Sequence, residues 1–269
     1  MALLSLPMLF DAEIISNETL KGDYRLLVLH TPLKPAEVAP GQFAHVAIPG
    51  IPDRVLRRPF SIHDVSESGK MSIVYKVVGL GTKALSLTPP GAECGVMAPL
   101  GNSFSIPHRN ETPVIVAGGY GSAATYILAK KSPTPGKLLL GARSEKDVII
   151  AERFEKIGFH VEISTDDGSL GKKGLVTELL KPYIEQAALG EKLRFYGCGP
   201  NPMLMAMAEA LENAGLDGEV SLDQMMCCGV GACFACVEKI KDHSSKDGWR
   251  YARTCSEGPI FKASEIHRD

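Results

Sequence analysis

The first part of the chain alternates short apolar runs with polar turn residues. Several runs alternate apolar and polar positions with a period of two, β-branched residues are frequent in them, and Gly, Pro or Asp separates them. This pattern is typical of β-strands that turn one face toward a core. It predicts an antiparallel barrel or sandwich over residues 1–107, with strands in the segments AEIIS, YRLLVLH, QFAHVAIP, FSIHDV and MSIVYKVV.

The pattern of apolar and polar positions changes after the tripeptide ETP, where compact apolar runs alternate with segments of helical spacing. VIVAGG, KLLLGAR, FHVEIS and KLRFYGCGP have the character of buried strands, and EVSLD is a candidate fifth strand. SAATYILAKK, KGLVTELLKPYIEQA and NPMLMAMAEALENAG have helical spacing. In the last of these, Asn201 is the expected N-cap, Pro202 suits the first turn and Gly215 suits the left-handed residue that follows. The alternation predicts a doubly wound parallel sheet over residues 108–217.

Residues 218–269 have a different character again. They contain the run MMCCGVGACFAC, then VEKIK and WRYART on either side of the polar turn DHSSKDG, and then Cys255. The two flanking segments predict a hairpin. The expected fold class is therefore α/β plus all-β, with an antiparallel β-barrel, a doubly wound parallel-sheet domain and a small C-terminal subdomain that carries the cysteines.

Composition excludes several classes of function. The chain has 269 residues, 45% hydrophobic content and a formal net charge of −2, which describes a soluble globular protein with no basic excess for binding nucleic acid. The apolar start MALLSLPMLF lacks a basic leader and a small-residue cleavage site, and no apolar run approaches the length that spans a bilayer. We therefore expect a cytoplasmic protein, whose thiols stay reduced.

Four of the seven cysteines lie within twelve residues of sequence. Cys228, Cys233 and Cys236 have the spacing C-x4-C-x2-C, with which plant-type ferredoxins ligate a [2Fe–2S] cluster, and Cys255 is the candidate fourth ligand. Cys227 lies outside this spacing and is expected to be a small packed thiol. The cysteine run therefore predicts an iron–sulfur centre.

Zinc and disulfide interpretations fit the cysteines less well. Gly229 and Gly231 would let a tight loop fold around an inorganic core and point backbone N–H groups at its sulfur atoms. A structural zinc site usually takes its ligands from two short C-x2-C pairs, and only one such pair is present, so zinc is the weaker alternative. An odd number of cysteines in a reducing compartment disfavours a disulfide framework.

An iron–sulfur cluster carries single electrons, so another group must supply them, and two turns in the N-terminal part are candidates. In LRRPFSI, Arg58 suits a two-pronged contact with a phosphate and Ser61 suits the polar edge of a ring, although an exposed basic turn would have the same sequence. In VVGLGTKALS, Gly79, Gly81 and Thr82 come between a strand and a helix. Free backbone N–H groups at that position suit a pyrophosphate.

Two further turns follow strands of the predicted parallel sheet. AGGYGSAAT places Gly119, Gly121 and Ala124 in the loose G-x-G-x-x-G/A form of a dinucleotide site. The acidic residue that this form expects after the second strand is not obvious, because that strand leads into GAR. A dinucleotide is therefore either bound differently from the Rossmann pattern or not bound at this turn. YGCGPNPM places Cys198 between two glycines before a helix, a pattern that also describes a glycine-rich helix entry with a buried thiol.

The order of these motifs is more specific than any one of them. RRPFSI, VVGLGTK, AGGYGSAAT, STDDGSLGKKGLVTELL, YGCGPNPML, CGVGACFACVEKI and TCSEGPIF together resemble the electron-transfer subunits of NAD-dependent dihydroorotate dehydrogenases, in the ferredoxin-reductase superfamily. The resemblance covers nearly the whole chain. Its most specific parts are the cysteine run with its CxxGP ending and the DDGSxGxxGxVT stretch, whereas the flavin motifs belong to the wider superfamily.

The resemblance implies three cofactor sites. FAD would be held by Arg58, Pro59, Phe60, Ser61, Val74, Tyr75, Lys76, Gly81 and Thr82. The nicotinamide cofactor would be held by Gly118, Gly119, Gly121, Gly199 and Pro200, with Cys198 as the candidate catalytic residue. The [2Fe–2S] cluster would be held by Cys228, Cys233, Cys236 and Cys255. Relatives often carry a proline in the first turn of the helix after GGxG, where this chain has Ala123 and Ala124.

The resemblance also implies a reaction and a partner. NADH would give a hydride to FAD, and the electrons would pass singly through the cluster to or from an FMN-containing catalytic subunit that oxidises dihydroorotate to orotate, in a hetero-oligomer, specifically a heterotetramer. A second interpretation keeps the same cofactors with another partner, such as ferredoxin or a sulfide-type acceptor. A third is a non-catalytic zinc protein that mediates assembly. The three predicted regions are a flavin-binding barrel at 1–107, a nicotinamide-binding domain at 108–217 and a cluster-binding subdomain at 218–269.

Overall fold

A computed structural model describes residues 6–50 and 56–268 of the chain. The strands are β1 Met8–Lys21, β2 Tyr24–His30, β3 Phe43–Val46, β4 Arg58–Ser61, β5 Asp64–Val65, β6 Lys70–Lys76, β7 Glu93–Leu100, β8 Thr112–Gly118, β9 Lys137–Ala142, β10 His160–Thr165, β11 Lys172–Lys173, β12 Leu193–Cys198, β13 Gly218–Ser221, β14 Val237–Lys241, β15 Trp249–Arg253 and β16 Ile260–Lys262. The helices are α1 Leu80–Leu87, α2 Gly121–Ala124, α3 Tyr126–Lys131, α4 Ala151–Lys156, α5 Thr177–Ala188 and α6 Asn201–Asn213.

The N-terminal strands form one antiparallel sheet in the order β4-β3-β7-β1-β2-β6-β5. The sheet curls around a hydrophobic core in which Ile14, Leu27 and Ile73 are fully buried. Their alternation with polar neighbours is the period-two signal of the sequence, since successive side chains of a strand point to opposite faces. The antiparallel, barrel-type prediction is confirmed.

Strand β7 is not predicted by the sequence pattern. Its inward residues Cys94, Val96, Ala98 and Leu100 do alternate with period two, but the glycine and proline within the strand obscure the signal. The strand is specified by its neighbours, because β1 pairs along one side of it and β3 along the other.

The second sheet has the order β11-β10-β9-β8-β12-β13-β16, in which β16 is antiparallel and the other pairs are parallel. Residues of β8 face two different cores. Val114 and Val116 pack with α5 and α6, whereas Ile115 and Ala117 pack with α3 and α4. A strand buried on both faces reads as an unbroken apolar run, as VIVAGG does, and the doubly wound prediction is confirmed.

The strand order reverses between β8 and β12. From β8 the chain moves outward through β9 and β10 to β11, and then returns to add β12 and β13 on the other side. Ligands of open α/β sheets bind beyond the carboxyl ends of the strands at such a reversal. Gly118 ends β8 and Cys198 ends β12, so these two residues mark the expected ligand crevice.

The N-cap prediction for α6 is wrong. Pro200 occupies the cap position, Asn201 is the first helical residue and its side chain makes no capping bond. The reason is that Pro200 packs beside Gly118 at the end of β8, which fixes the turn one residue earlier. Gly215, by contrast, has φ +68° just after the helix, as the sequence predicts.

Helix α1 also differs slightly from its prediction. It begins at Leu80, so Gly81 and Thr82 lie in its first turn rather than before it. The Thr82 hydroxyl accepts hydrogen bonds from the backbone N–H groups of Val78 and Gly79, at 2.9 and 3.1 Å, and this starts the helix early. The predicted helix SAATYILAKK is divided into α2 and α3, and the six-residue α4 has too short a pattern to be predicted.

The C-terminal hairpin prediction is confirmed, since β14 and β15 pair in antiparallel fashion. The chain then returns to the second sheet, where β16 pairs with β13.

The boundaries at residues 107/108 and 217/218 stay predictions. Across the described ranges, no helix has the length and apolar character needed to cross a membrane.

Asn102 joins the end of the first sheet to the C-terminal segment. Its amide donates to the carbonyls of Glu257 and Ile260, at 2.9 and 2.7 Å, and its Oδ1 accepts from the Ile260 N–H at 2.8 Å. The backbone N–H of Asn102 also donates to the Gly258 carbonyl at 2.7 Å. One side chain therefore satisfies three backbone groups of the returning chain.

We expect Asn102→Ala to lower the free energy of unfolding by about 3 kcal/mol, because three hydrogen bonds of about 1 kcal/mol each are lost. Thermal and urea unfolding of the whole chain measure the effect. Asn110→Ala is the matched control, since Asn110 is exposed in a loop and its replacement should change the unfolding midpoint little. Equal midpoints for the two variants would contradict this role of Asn102.

Candidate flavin, nicotinamide and cluster sites

A cavity of about 1090 Å³ lies between the two large sheets, at the reversal of the second one. Every residue predicted to bind the flavin or the nicotinamide lines this cavity: Arg58, Pro59, Phe60, Ser61, Val74, Tyr75, Lys76, Gly81, Thr82, Gly118, Gly119, Gly121, Cys198, Gly199 and Pro200. Residues separated by more than a hundred positions in sequence therefore share one space.

On the first sheet, β4 and the start of α1 form one wall of the cavity. A Cβ atom placed on Gly81 would lie 3.5 Å from Arg58 Nε, so the guanidinium and the first turn of α1 are neighbours. The first N–H groups of a helix lack partners within it, and together with an arginine they form a surface that suits phosphate oxygens. This wall has the chemistry expected for a pyrophosphate.

On the second sheet, the turns after β8 and β12 touch each other. A Cβ atom on Gly121 would lie 2.1 Å from the Cys198 carbonyl oxygen, and one on Gly118 would lie 2.6 Å from Pro200 Cδ. Any larger residue would separate the turns. Gly119 has φ +54°, a left-handed conformation that glycine adopts without strain. Close approach of the turns therefore requires glycine at 118 and 121, and the positive φ favours it at 119.

Cys198 lies on the cavity wall as an almost buried thiol. Burial raises the pKa of this thiol to about 12, and the negative charge of Asp223 acts in the same direction. The thiol is therefore neutral near pH 7 and can contact a ligand, but it is not a thiolate nucleophile.

An ion pair that the sequence does not reveal connects the two large sheets at the cavity. Lys76 Nζ lies 2.9 Å from Asp147 Oδ1, and the Tyr24 hydroxyl donates to the same oxygen at 2.9 Å. Hydrogen bonding from Lys76 is the main cause that lowers the pKa of Asp147. Lys76 is predicted from the sequence, but its partner is 71 positions away, and no local pattern links them.

The four candidate cluster ligands lie in one region, in two environments. Cys236 and Cys255 are buried with Phe43, Leu100 and Met226. Cys228 is partly exposed and Cys233 is exposed. Each pair is close enough for a sulfur–sulfur hydrogen bond, Cys228 with Cys233 and Cys236 with Cys255. Within residues 6–50 and 56–268, no three metal-ligating side chains converge as they would on a single ion.

The loop between these cysteines fits a thiolate-bound iron–sulfur cluster. Burial would raise the pKa of Cys228, but hydrogen bonds from the backbone N–H groups of Val230, Cys233 and Ala232 help to lower it to about 6. The Gly231 N–H donates to Cys255 Sγ at 3.2 Å. Such N–H bonds to sulfur stabilise thiolate ligands and help to set a cluster's potential.

Sequence comparison with known proteins identifies the family to which the chain belongs. The chain is 35% identical over 261 residues to "Dihydroorotate dehydrogenase B (NAD(+)), electron transfer subunit" of Desulforamulus reducens, covering 96% of this chain and 97% of that one. It is 38% identical over 234 residues to the protein of the same name from Fusobacterium nucleatum, covering 84% and 86%. The chain belongs to the family of dihydroorotate dehydrogenase B electron transfer subunits.

The C-terminal region and the fold agree with this family. Residues 223–267 match the iron–sulfur cluster binding domain of dihydroorotate dehydrogenase B. Among solved structures, an NADH-dependent reduced ferredoxin-NADP oxidoreductase superposes with a TM-score of 0.78 at 27% identity, covering 95% of this chain and 89% of that one. A ferredoxin reductase of carbazole 1,9a-dioxygenase shares the fold, with a TM-score of 0.67 at 22% identity, covering 78% and 67%.

In this member of the family, an arginine–glutamate brace supports the cysteine loop. Arg253 donates to the Gly231 carbonyl at 3.2 Å and to Glu257 Oε2 at 2.9 Å, while Arg250 Nη1 donates to Glu257 Oε1 at 2.7 Å. Burial alone would raise the pKa of Glu257, but hydrogen bonds from Arg253 and Arg250 lower it to about 2. The brace therefore needs an ionised Glu257.

We expect Glu257→Gln to destabilise the chain by about 2 kcal/mol at pH 7, a value discounted for the partial exposure of the carboxylate. A lowered folded-state pKa stabilises the protein above the ordinary value near 4.5, and this stability is lost as the pH falls through about 2. The difference between wild type and variant should therefore shrink across that window. Thermal unfolding against pH measures it, with Glu209→Gln on the exposed face of α6 as the control. A constant difference down to pH 2 would argue against the brace.

Proposed function

We propose that the chain is the electron-transfer subunit of an NAD-dependent dihydroorotate dehydrogenase. It carries electrons between NAD(H), FAD and a [2Fe–2S] cluster. The observation that carries the proposal is the position of Met226, which lines the cavity and also packs against the buried pair Cys236 and Cys255. The flavin and nicotinamide candidates thus share a cavity whose wall is in contact with the cluster ligands.

The two walls of the cavity suit two different ligands. Arg58, Gly81 and the first turn of α1 would hold the FAD pyrophosphate, and Ser61 would lie toward its ring. The turns at Gly119 and Gly199 would hold the nicotinamide cofactor at the strand-order reversal. FAD, when bound, exchanges a hydride with the nicotinamide and single electrons with the cluster.

The exposure of the ligands suggests how the cluster is oriented. Cys236 and Cys255 pack with Met226 and Phe43, which line the cavity, whereas Cys233 is exposed. Electrons would enter through the buried pair and leave through the exposed side. A partner that receives them must therefore dock over Cys233.

The names of the relatives support a catalytic partner subunit. We propose that this partner contains FMN, that it oxidises dihydroorotate to orotate, and that the two chains form a heterotetramer in the cytoplasm. The likeness to an NADH-dependent reduced ferredoxin-NADP oxidoreductase supports a second candidate, in which the same cofactors serve a different partner.

The first test is an anaerobic visible spectrum of the purified chain with and without NADH. We expect flavin bands over a broad iron–sulfur absorption, with both bleaching on addition of NADH. The isolated chain should reduce artificial acceptors but should not oxidise dihydroorotate, since the proposal assigns that chemistry to the partner. A colourless protein that binds neither cofactor on reconstitution would favour a zinc site at the cysteines. Dihydroorotate oxidation by this chain alone would contradict the assignment of that reaction to the partner subunit.

Phe234 is the candidate anchor of the docking face. Its side chain is 61% exposed beside Cys233, its φ is +58°, and Arg253 lies over its ring at 5.1 Å. A bulky residue in a left-handed conformation is strained and is retained where surrounding contacts enforce it. Exposed aromatic side chains are also frequent anchors of protein interfaces.

We expect Phe234→Glu to weaken binding of the catalytic subunit by about tenfold or more, because it places a charge in an apolar contact. The flavin and iron contents should stay those of the wild type. Leu189→Glu is the matched control, since Leu189 is 89% exposed at the end of α5. Titration calorimetry with a dihydroorotate dehydrogenase catalytic subunit measures both. If F234E and wild type bind the catalytic subunit with equal affinity, the docking face does not include Phe234.

A further inference from the structure

Three carboxylates line the described part of the cavity, and they differ in their surroundings. Asp147 is held by Lys76 and Tyr24. Asp166 follows β10 and is exposed, as Asp223 also is. Asp223 lies in the segment between β13 and the cysteine loop, three residues before Met226. Of the three, Asp223 is the one in the segment that leads to Met226, which lines the cavity and packs with the buried Cys236 and Cys255.

The titratable groups facing Asp223 come from two neighbouring elements. The Tyr120 hydroxyl, from the turn after β8, donates to Asp223 Oδ2 at 3.3 Å. The Cys198 thiol at the end of β12 is near enough to interact electrostatically with it. Asp223 is exposed to the cavity by surface area, and desolvation by the protein atoms around it raises its pKa despite the hydrogen bond from Tyr120. Among the residues that the structure describes, no arginine or lysine side chain is paired with this carboxylate.

The proposed reaction requires a proton acceptor at this place. A hydride is one proton and two electrons, so oxidation of NADH to NAD⁺ through a one-electron carrier releases one H⁺ and two electrons. The electrons pass singly to the cluster and then to the partner. The proton does not travel with them, and it has to leave a cavity that the ligands would fill. In the opposite direction, two electrons and one proton must be returned to NAD⁺.

We propose that Asp223 accepts this proton when the electrons leave for the cluster, and returns it when electrons arrive from the partner. Tyr120 is a positioning residue that directs Oδ2 through its hydrogen bond. The proposal rests on the function proposed above and adds a catalytic residue to it, at the point where electrons and proton separate.

The other groups at the cavity suit this role less well. Efficient proton exchange needs a group whose pKa is not far from the working pH. The pKa values of the Cys198 thiol and the Tyr120 hydroxyl are each raised to about 12. Asp147 has a lowered pKa because Lys76 donates to it. The raised pKa of Asp223 moves it toward the working range.

The kinetic test uses the full chain with its flavin and cluster, mixed anaerobically with NADH in a weakly buffered solution that contains a pH indicator. In Asp223→Asn, we expect the bleaching of the iron–sulfur absorption and the release of the proton to slow together by about 100-fold relative to the flavin phase. Asp223→Glu should restore most of the rate, because it restores a carboxylate. Asp247→Asn, in the exposed hairpin turn, is the control and should behave as wild type.

A second readout does not depend on turnover. In the full chain labelled with ¹³C-carboxyl aspartate, the Asp223 signal is identified by its absence from D223N. Its titration midpoint should lie above the ordinary value of about 3.9. Tyr120→Phe should raise the midpoint further, because the hydrogen bond it removes favours the ionised form.

The outcomes separate the two proposals. Equal cluster bleaching and proton release in wild type and D223N, or a midpoint at the ordinary aspartate value, would overturn the role of Asp223 and leave the proposed function standing. A wild-type chain whose flavin and cluster do not respond to NADH would overturn both. Loss of flavin or iron in D223N, with no rescue by Asp223→Glu, would assign Asp223 a purely structural role and overturn this inference.

Discussion

The arrangement of the whole molecule depends on three backbone positions, Gly258 to Ile260, which hydrogen-bond to both large sheets. The Gly258 carbonyl accepts from Asn102 at the end of the first sheet, and the Pro259 carbonyl accepts from Leu222 just after β13. The contact is so close that a Cβ atom on Gly101 would lie 2.6 Å from Pro259 Cδ. Cys255, a candidate cluster ligand, lies only a few residues earlier in the same segment.

On the proposed electron path, apolar side chains stand between the cavity and the buried cysteines. Met226 and Phe43 line the cavity and also pack with the buried cysteines. Apolar packing excludes water and fixes positions without adding a titrating group. The charged side chains of Arg58, the Lys76–Asp147 pair and Asp223 line the ligand space itself.

The cysteine loop combines a rigid inner side with an accessible outer side. Backbone N–H groups and the Arg253–Glu257 brace hold the loop from within, while Cys233 and Phe234 remain exposed. This asymmetry follows from the order of residues in the run, since Gly229 and Gly231 allow N–H groups to turn inward between outward-facing side chains. Under the proposed function, the inner side would lie toward the flavin and the exposed side would be available to a partner.

The sequence by itself determined the fold class, the cysteine spacing and the residue types of both ligand-binding turns. These are local properties, because strand period, helix spacing, glycine turns and ligand spacing are each set within a few residues of chain. Only the tertiary structure decided which distant residues meet. The Lys76–Asp147 pair, the Tyr120–Asp223 hydrogen bond and the position of Met226 between cavity and cysteines all join segments far apart in sequence. Their local patterns carry no signal, because a side chain's partner across a cavity is set by how whole sheets pack and not by its neighbours along the chain.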